Sequence, residues 1–218
     1  MANSKTDPAA VGESDTQAHV KGPIGFVGVG EIAKALVEGL SGGNGTVPRV
    51  LLSPRGAAPA AQLASRFSNV LRCASNQEVA DRSAILVLSI RPENRVDALH
   101  GLRISEETIV ISVMAGVSHD ELLGLMDTKA PIIRAIPLLA VRDRTCVTPT
   151  YPTHPASTGL FNSLGGTLPV NDDVSFATLA AVSGTVSGHF VTFPRSPGGP
   201  YGRASQLNKP NGMCGAYL

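Results

Sequence analysis

The feature that most constrains this chain is a glycine pair at the point where an apolar run ends and an amphipathic segment begins. The run Ile24-Gly25-Phe26-Val27 leads into Gly28-Val29-Gly30-Glu31-Ile32-Ala33, which has the pattern G-x-G-x-x-A. This pattern is typical of a strand that turns into a helix whose N-terminus binds phosphates. Gly28 suits a tight turn, Gly30 lets the backbone approach a pyrophosphate, and Ala33 lets the helix pack on the strand. We therefore predict a dinucleotide site at residues 28–33, the alternative being an ordinary βα turn.

A helix is predicted directly after the glycine pair. Its apolar residues recur at i, i+3, i+4, i+7 and i+8, which places them on one helix face. They are Ile32, Ala35, Leu36, Gly39 and Leu40. The polar and glycine-rich residues 41–45 end the pattern.

Composition excludes several classes of protein. The chain of 218 residues carries a net charge of +1 with 16% charged residues, so no basic face for nucleic acid is predicted. Cys73, Cys146 and Cys214 are far apart and form no C-x-x-C pair, so neither a metal site nor a disulfide framework is predicted. No apolar run is long enough for a membrane span and no signal peptide is recognised, so we expect a cytoplasmic protein without a membrane partner.

Short apolar runs alternate with helical patterns, which predicts an α/β fold with a Rossmann-type, doubly wound, mostly parallel sheet. Residues 84–89 and 108–113 are apolar apart from Ser89, Thr108 and Ser112, as expected of strands buried on both faces. Strands are predicted at 24–27, 49–53, 70–73, 84–89, 108–113, 131–137, 145–150 and 167–170. Helices are predicted at 60–67, 76–82, 157–164 and 174–187, and one more begins with Ser118 as N-cap in a capping box with Glu121.

Three domains are predicted from composition. Residues 1–22 hold scarcely any large apolar side chain and are interpreted as a flexible tail. Residues 23–170 form the dinucleotide-binding domain. Residues 171–218 are interpreted as a short helical remnant with a tail rich in proline and glycine, which suits no packed helical layer.

The residues after the second predicted strand indicate which dinucleotide is bound. Enzymes that use NAD place a carboxylate there on the ribose 2′-hydroxyl, whereas this chain has Ser53 and Arg55. A hydroxyl and a guanidinium suit a 2′-phosphate. NADP(H) is therefore the predicted cofactor, with NAD(H) as the alternative if Arg55 is only a solvated turn residue.

Two further loops at the carboxyl ends of strands are predicted to line the cofactor crevice. The first is Ser89-Ile90-Arg91-Pro92, in which Pro92 also suits the first turn of the next helix. The second contains Ala115 and Gly116, which keep the crevice floor free of large side chains. His119 and His154 are interpreted as surface residues, and no spacing typical of a hydrolase is found.

The order of these motifs resembles the pyrroline-5-carboxylate reductase family. The matching segments are residues 24–30, 85–92, 111–118, 134–137 and 160–166, so the resemblance covers about residues 22–189. It implies an NADP(H)-binding Rossmann domain and a helical domain that dimerises and closes the active site. The implied reaction is hydride transfer to the C=N carbon of a small cyclic imino acid, which yields proline.

Further implications of the resemblance concern the substrate. Ser196-Pro197-Gly198-Gly199 is similar to the family's loop that grips the substrate carboxylate, which makes Ser196, Gly198 and Gly199 the candidate catalytic residues. The chain departs from the family pattern in three places. Glu31-Ile32 puts a negative side chain near the phosphates, and Pro137-Leu138-Leu139-Ala140 lacks the polar groups that the family has beside the nicotinamide. The long helices that the family has before the loop at Ser196 are missing. The resemblance also implies a homo-oligomer formed through the helical domain, which is shortened in this chain. The alternatives are a non-catalytic NADP-binding module and a related Rossmann reductase or dehydrogenase with another small substrate.

Overall fold

An eight-stranded sheet forms the centre of the fold. The computed structural model describes residues 22–43 and 47–192, with side chains up to Ser183. The strands are β1 (Ile24–Val27), β2 (Val50–Leu52), β3 (Val70–Arg72), β4 (Ile85–Leu88), β5 (Ile109–Ser112), β6 (Ile132–Ala135), β7 (Thr148–Tyr151) and β8 (Thr167–Pro169). Within the described ranges the helices are α1 (Glu31–Ser41), α2 (Ala57–Arg66), α3 (Asn76–Arg82), α4 (Arg95–Leu99), α5 (His119–Leu125), α6 (Pro155–Asn162) and α7 (Asp173–Thr192), with 3₁₀ turns at Pro92–Asn94 and Leu139–Asp143.

The strand order is that of a doubly wound sheet, β3-β2-β1-β4-β5-β6-β7-β8. Strands β1 to β6 all pair in parallel, and β1 lies between β2 and β4. The winding direction therefore reverses at β1, which is where dinucleotides bind in such sheets. Only the β6–β7 pairing is antiparallel among the pairs of the described sheet. The predicted fold class is confirmed.

Helices cover both faces of the sheet. On one face α1 and α2 bury Leu36 and Leu63 against β1 and β2, while on the other α3, α4 and α5 bury Val79, Leu99 and Leu122. Successive strand residues alternate between these two cores, because side chains of a strand point to opposite faces. Strand β4 is buried throughout and β5 at every residue except the partly buried Ile109, as their apolar sequences predicted.

Serine hydroxyls begin two of the helices on the second face. Ser75 Oγ accepts the Glu78 N–H at 3.1 Å, and Ser118 Oγ accepts the Glu121 N–H at 3.1 Å, as predicted for α5. The Glu121 carboxylate accepts from the Arg95 guanidinium of α4 rather than completing a capping box. A charge-assisted bond to arginine is stronger than one to a neutral N–H, which explains the difference.

Some element boundaries differ from those predicted. Helix α2 begins at Ala57, not at residue 60, because Gly56 adopts φ +82 and turns the chain directly into the helix. Strand β7 begins at Thr148 rather than residue 145, since the 3₁₀ turn Leu139–Asp143 lengthens the connection.

Parts of the predicted organisation lie outside the described residues. The tail up to residue 21, residues 44–46 of the predicted helix stop, and the segment rich in proline and glycine after residue 192 belong to this group. The chain divides into two compact units, Met1–Ala181 and Val182–Leu218, and all contacts discussed below lie in the first. The predicted domain boundaries stay predictions.

Candidate functional site

The junction between β1 and α1 forms an open cradle at the helix N-terminus. Gly28 has φ +90, and a Cβ there would lie 2.7 Å from the Ser89 carbonyl oxygen, so only glycine fits without strain. Gly30 is the N-cap residue of α1, is exposed, and has φ −97 and ψ −168 with no side-chain cap. A Cβ on Gly30 would have no heavy atom within 4 Å. The first-turn N–H groups thus face space that a phosphate could fill.

Of the other residues in the predicted loop, two are buried and two are partly or fully exposed. Ala33 is fully buried and Val29 nearly so, which packs α1 and the loop against the sheet. Ile32 is half-buried and Glu31 is exposed in the first turn of α1. The Glu31 carboxylate is therefore solvated.

Two serines hold the turn at Gly28 from neighbouring strands. Ser53, directly after β2, is fully buried, and its hydroxyl accepts the Gly28 N–H at 2.9 Å. Ser89, directly after β4, donates its hydroxyl to the Gly28 carbonyl oxygen at 2.6 Å. Both polar groups of the Gly28 backbone are thereby paired across the sheet. We call this pair of serines the Gly28 clamp; the sequence pattern indicated both residues but not this role.

We expect Ser53→Ala to lower the free energy of unfolding by about 1–2 kcal/mol, because the Gly28 N–H loses its acceptor at a buried position. Urea unfolding followed by circular dichroism measures the change. Ser65→Ala is a suitable control, since its hydroxyl bonds only to the exposed Gln62 carbonyl in its own helix. Equal stability of Ser53→Ala and wild type would show that the Ser53 hydroxyl of the clamp contributes nothing to stability.

The predicted ligand-facing residues lie along the carboxyl edge, defined here as the edge where β1, β2, β4, β5 and β6 end. Arg55 is exposed after β2, and Arg91 is exposed after β4, where Ile90 is buried and Pro92 begins the 3₁₀ turn as expected. Ala115 and Gly116 are exposed after β5. Gly116 has φ +72, and no heavy atom lies within 4 Å of a Cβ built there. The predicted cofactor residues thus meet at one edge of the sheet.

A second polar cluster, which the sequence did not indicate, joins β6 to α7. Arg134 is a buried strand residue whose guanidinium pairs with the Asp173 carboxylate and lies 4.5 Å from the centroid of the Phe176 ring. The Phe176 ring also contacts Tyr151 of β7, with 6.2 Å between centroids. Arg134 therefore ties the start of α7 to the sheet. A charged residue inside an apolar strand was the available signal.

A cavity of about 270 Å³ lies beside this cluster. It is lined by Ser118, His119, Asp120, Tyr151, Pro152 and Asp173. His119, interpreted from the sequence as a surface residue, is only partly exposed, and its Nδ1 is buried without a hydrogen-bond partner in the described structure. His154 is also partly buried and accepts the Ala156 N–H at the start of α6.

The remaining sequence predictions concern metals, thiols and membranes. Among the described residues no group of three or more His, Cys, Asp or Glu could hold a metal ion. Cys73 and Cys146 are buried free thiols, and burial raises the pKa of Cys73. None of the helices in residues 22–43 and 47–192 has the length and apolar character needed to span a membrane. Ser196, Gly198 and Gly199 lie outside the described residues.

Comparison with known proteins identifies relatives by sequence. The profile of a family described as NADP oxidoreductase coenzyme F420-dependent matches residues 23–116. The pyrroline-5-carboxylate reductase of Pasteurella multocida is 25% identical over 183 residues, which cover 78% of this chain and 66% of that protein. The pyrroline-5-carboxylate reductase of Pseudomonas aeruginosa is 24% identical over 177 residues, with 77% and 64% covered. The chain thus spans just under two thirds of the length of these relatives.

Solved structures of pyrroline-5-carboxylate reductases share the fold of this chain. The structure of a pyrroline-5-carboxylate reductase from Coxiella burnetii matches with a TM-score of 0.67 at 19% identity, covering 78% of this chain and 66% of that one. At this identity the match shows the fold alone. Together with the sequence matches it confirms the resemblance: the chain is similar to pyrroline-5-carboxylate reductases in sequence and in fold.

Proposed function

We propose that this chain binds NADPH at the carboxyl edge and reduces the C=N bond of a cyclic imino acid, with 1-pyrroline-5-carboxylate as substrate and proline as product. The observation that carries the proposal is the open cradle at Gly30, held in place by the Gly28 clamp. The choice of substrate is based on the names of the relatives, which are pyrroline-5-carboxylate reductases.

The residues at the carboxyl edge fit a phosphorylated dinucleotide. A Cβ at Gly30 would stand in the space that the pyrophosphate needs, and glycine leaves that space empty. Residues 28–33 would hold the pyrophosphate, Arg55 the 2′-phosphate, and Ser89 to Pro92 together with Ala115 and Gly116 the remainder. Ser53 is buried and bonded to Gly28, so it supports the loop while exposed Arg55 supplies the charge. The adjacent Glu31 carboxylate is unfavourable for a phosphate, and its exposure weakens the repulsion.

The chemistry divides between cofactor and protein. When bound, NADPH supplies the hydride that reduces the C=N bond to CH–NH, and a proton from solvent completes the amine. The protein would position the imine carbon over the β5 and β6 ends of the carboxyl edge, where Ala115 and Gly116 leave room. Ser196, Gly198 and Gly199 would hold the substrate carboxylate in this proposal, and a homo-oligomer would complete the site.

The direct test is NADPH oxidation at 340 nm with 1-pyrroline-5-carboxylate, with proline identified as the product. Proline formed in proportion to NADPH consumed supports the proposal. A folded chain that binds NADPH but forms no product would support the alternative of a non-catalytic NADP-binding module. Oxidation with other small imines or carbonyl compounds alone would favour a related reductase with a different substrate.

Replacing Arg55 by alanine should weaken NADPH binding by about tenfold or more and leave NADH binding unchanged, because a charge-assisted bond contributes about 1.5–3 kcal/mol. Calorimetric titration with each reduced coenzyme measures both affinities. Arg49→Ala is the matched control, since it removes the same charge from an exposed position before β2, at the opposite edge of the sheet. If wild type binds NADH as tightly as NADPH, Arg55 does not select the cofactor.

A further inference from the structure

The cavity beside Arg134 lies on the side of β1 that the nicotinamide half of the cofactor would occupy. Arg55, after β2, would hold the 2′-phosphate, so the other half of the dinucleotide would extend to the opposite side of β1, over β4 and β5. The end of β5 lies two strands from β1, about 10 Å away at the usual strand spacing. Ser112 at that end pairs in register with Arg134, which pairs in turn with Tyr151 of β7. The cavity, which Tyr151 lines, therefore lies at the reacting end of the carboxyl edge.

The size of the cavity suits a small ring. Its volume of about 270 Å³ is just below the range of roughly 300–1,000 Å³ that is typical of pockets for drug-sized ligands. Ser118 and His119 line it shortly after Ala115 and Gly116, whose small side chains leave the approach from the carboxyl edge open. A five-membered cyclic imine therefore fits between the start of α5 and Tyr151.

The charges of the lining favour a positively charged nitrogen. Asp173 is paired with the Arg134 guanidinium, which makes that pair neutral overall, and Asp120 adds a carboxylate. This carboxylate attracts a protonated imine and repels the carboxylate of the substrate. The ring should therefore enter with its nitrogen toward the start of α5 and its carboxylate directed out of the cavity. That orientation agrees with the proposed function, in which residues 196–199 hold the substrate carboxylate.

The side chain of His119 is suited to give the imine nitrogen its proton. Of the described side chains that line the cavity, an imidazole is the one that gains and loses a proton readily near neutral pH. Carboxylates are acceptors at that pH, and hydroxyl groups of serine and tyrosine keep their protons. His119 is partly exposed while its Nδ1 atom is buried, so the ring stands in the cavity wall with access to solvent. It can therefore take a proton from water and deliver it inside the cavity.

We propose that this cavity holds the imine ring and that His119 donates a proton to the imine nitrogen. The inference rests on the proposed function, since it requires NADPH at the carboxyl edge and a C=N bond to reduce. The imidazolium N–H bond breaks and an N–H bond forms on the imine nitrogen, which leaves a neutral imidazole and a cationic iminium. The iminium carbon then accepts the hydride of NADPH with its electron pair, and the C=N π pair becomes the lone pair of the amine. Water returns a proton to the imidazole.

The variant His119→Gln tests this role, because glutamine keeps a hydrogen-bonding side chain and cannot transfer the proton. With 1-pyrroline-5-carboxylate and saturating NADPH, its kcat should fall at least about 100-fold, the lower end of the usual contribution of a positioned acid. Its NADPH affinity and thermal unfolding should equal those of wild type, since the residue is the partly exposed first residue of α5. His100→Gln is the matched control: it removes an exposed imidazole at the end of α4, outside the cavity lining, and should keep the wild-type kcat.

Two further readouts separate proton donation from a structural role of His119. The kcat of wild type should fall as the pH rises, because a neutral imidazole has no proton to give, and His119→Gln should lack this fall. Both proteins share the other charged or titratable groups near the start of α5, which are Arg95, Asp120, Glu121, Arg134, Tyr151 and Asp173. In His119→Ala, imidazole added to the solution should restore part of the lost kcat, because it can enter the space of the missing ring.

The results distinguish a failure of this inference from a failure of the proposed function. A wild-type kcat in His119→Gln would overturn the assignment to His119 and leave the reductase function intact. A lower kcat with an unchanged pH profile and no rescue by imidazole would also overturn it, because His119 would then act through structure alone. A wild-type chain that binds NADPH and reduces no imine would overturn the reductase function and this inference together.

Discussion

The variant Gly30→Val should retain its fold and lose at least about 100-fold in NADPH affinity, since blocking two charge-assisted bonds from the first-turn N–H groups removes about 3 kcal/mol. Gly30 has φ −97 and ψ −168, an extended conformation that valine adopts without strain. A Cβ there meets no heavy atom within 4 Å, so the methyl groups would enter only the space that we propose for the pyrophosphate. Calorimetric titration measures the affinity, and thermal unfolding without nucleotide measures the fold.

The loss of NADPH affinity should depend on where the methyl groups are added, so the same substitution elsewhere should have no effect on it. Gly124→Val is the matched control, because a Cβ on Gly124 in α5 also has no heavy atom within 4 Å and the residue lies away from the glycine loop. This control should bind NADPH like wild type. At Gly30 the expected loss of stability is below about 1 kcal/mol, the difference between glycine and valine at an N-cap. Unchanged NADPH affinity in a folded Gly30→Val protein would show that the cradle is not part of the cofactor site.

The sequence was informative where one local pattern determines the structure. The glycine loop, α1 and the apolar central strands follow from backbone requirements and burial, both of which can be inferred from neighbouring residues. The N-cap at Ser118 follows from the same kind of local pattern. The reversal of winding at β1 followed from the family resemblance and the alternation of strands and helices.

Contacts between distant residues could not be predicted in this way. Ser53 suggested a ligand contact, yet its hydroxyl bonds to Gly28, 25 residues away. Arg134 suggested only membership of a family motif, while its partner Asp173 is 39 residues further on. The antiparallel β7 was likewise predicted as a strand without its direction. Single-sequence patterns carry no information on such pairings.

The pair formed by Arg134 and Asp173 leads to the second large expected effect. Asp173→Asn should lower the free energy of unfolding by about 3 kcal/mol, since it leaves a buried guanidinium without its counter-charge. The Arg134 side chain is only 10% exposed, whereas that of Asp173 is 55% exposed. The two partners are therefore not equivalent. Urea unfolding of the apo protein measures the loss.

Because Arg134 is buried and Asp173 is exposed, removing each partner separately should have different effects, and these differences serve as controls. Arg134→Met leaves Asp173 in water and should cost only about 1–2 kcal/mol, mainly from the lost ring contact with Phe176. The double variant Arg134→Met/Asp173→Asn should be more stable than Asp173→Asn alone, because no buried charge remains unpaired. Asp120→Asn removes a carboxylate from the first turn of α5 and reports the helix-dipole contribution, about 0.3–1 kcal/mol. An Asp173→Asn protein no less stable than Asp120→Asn would mean that water, not Asp173, satisfies the Arg134 guanidinium.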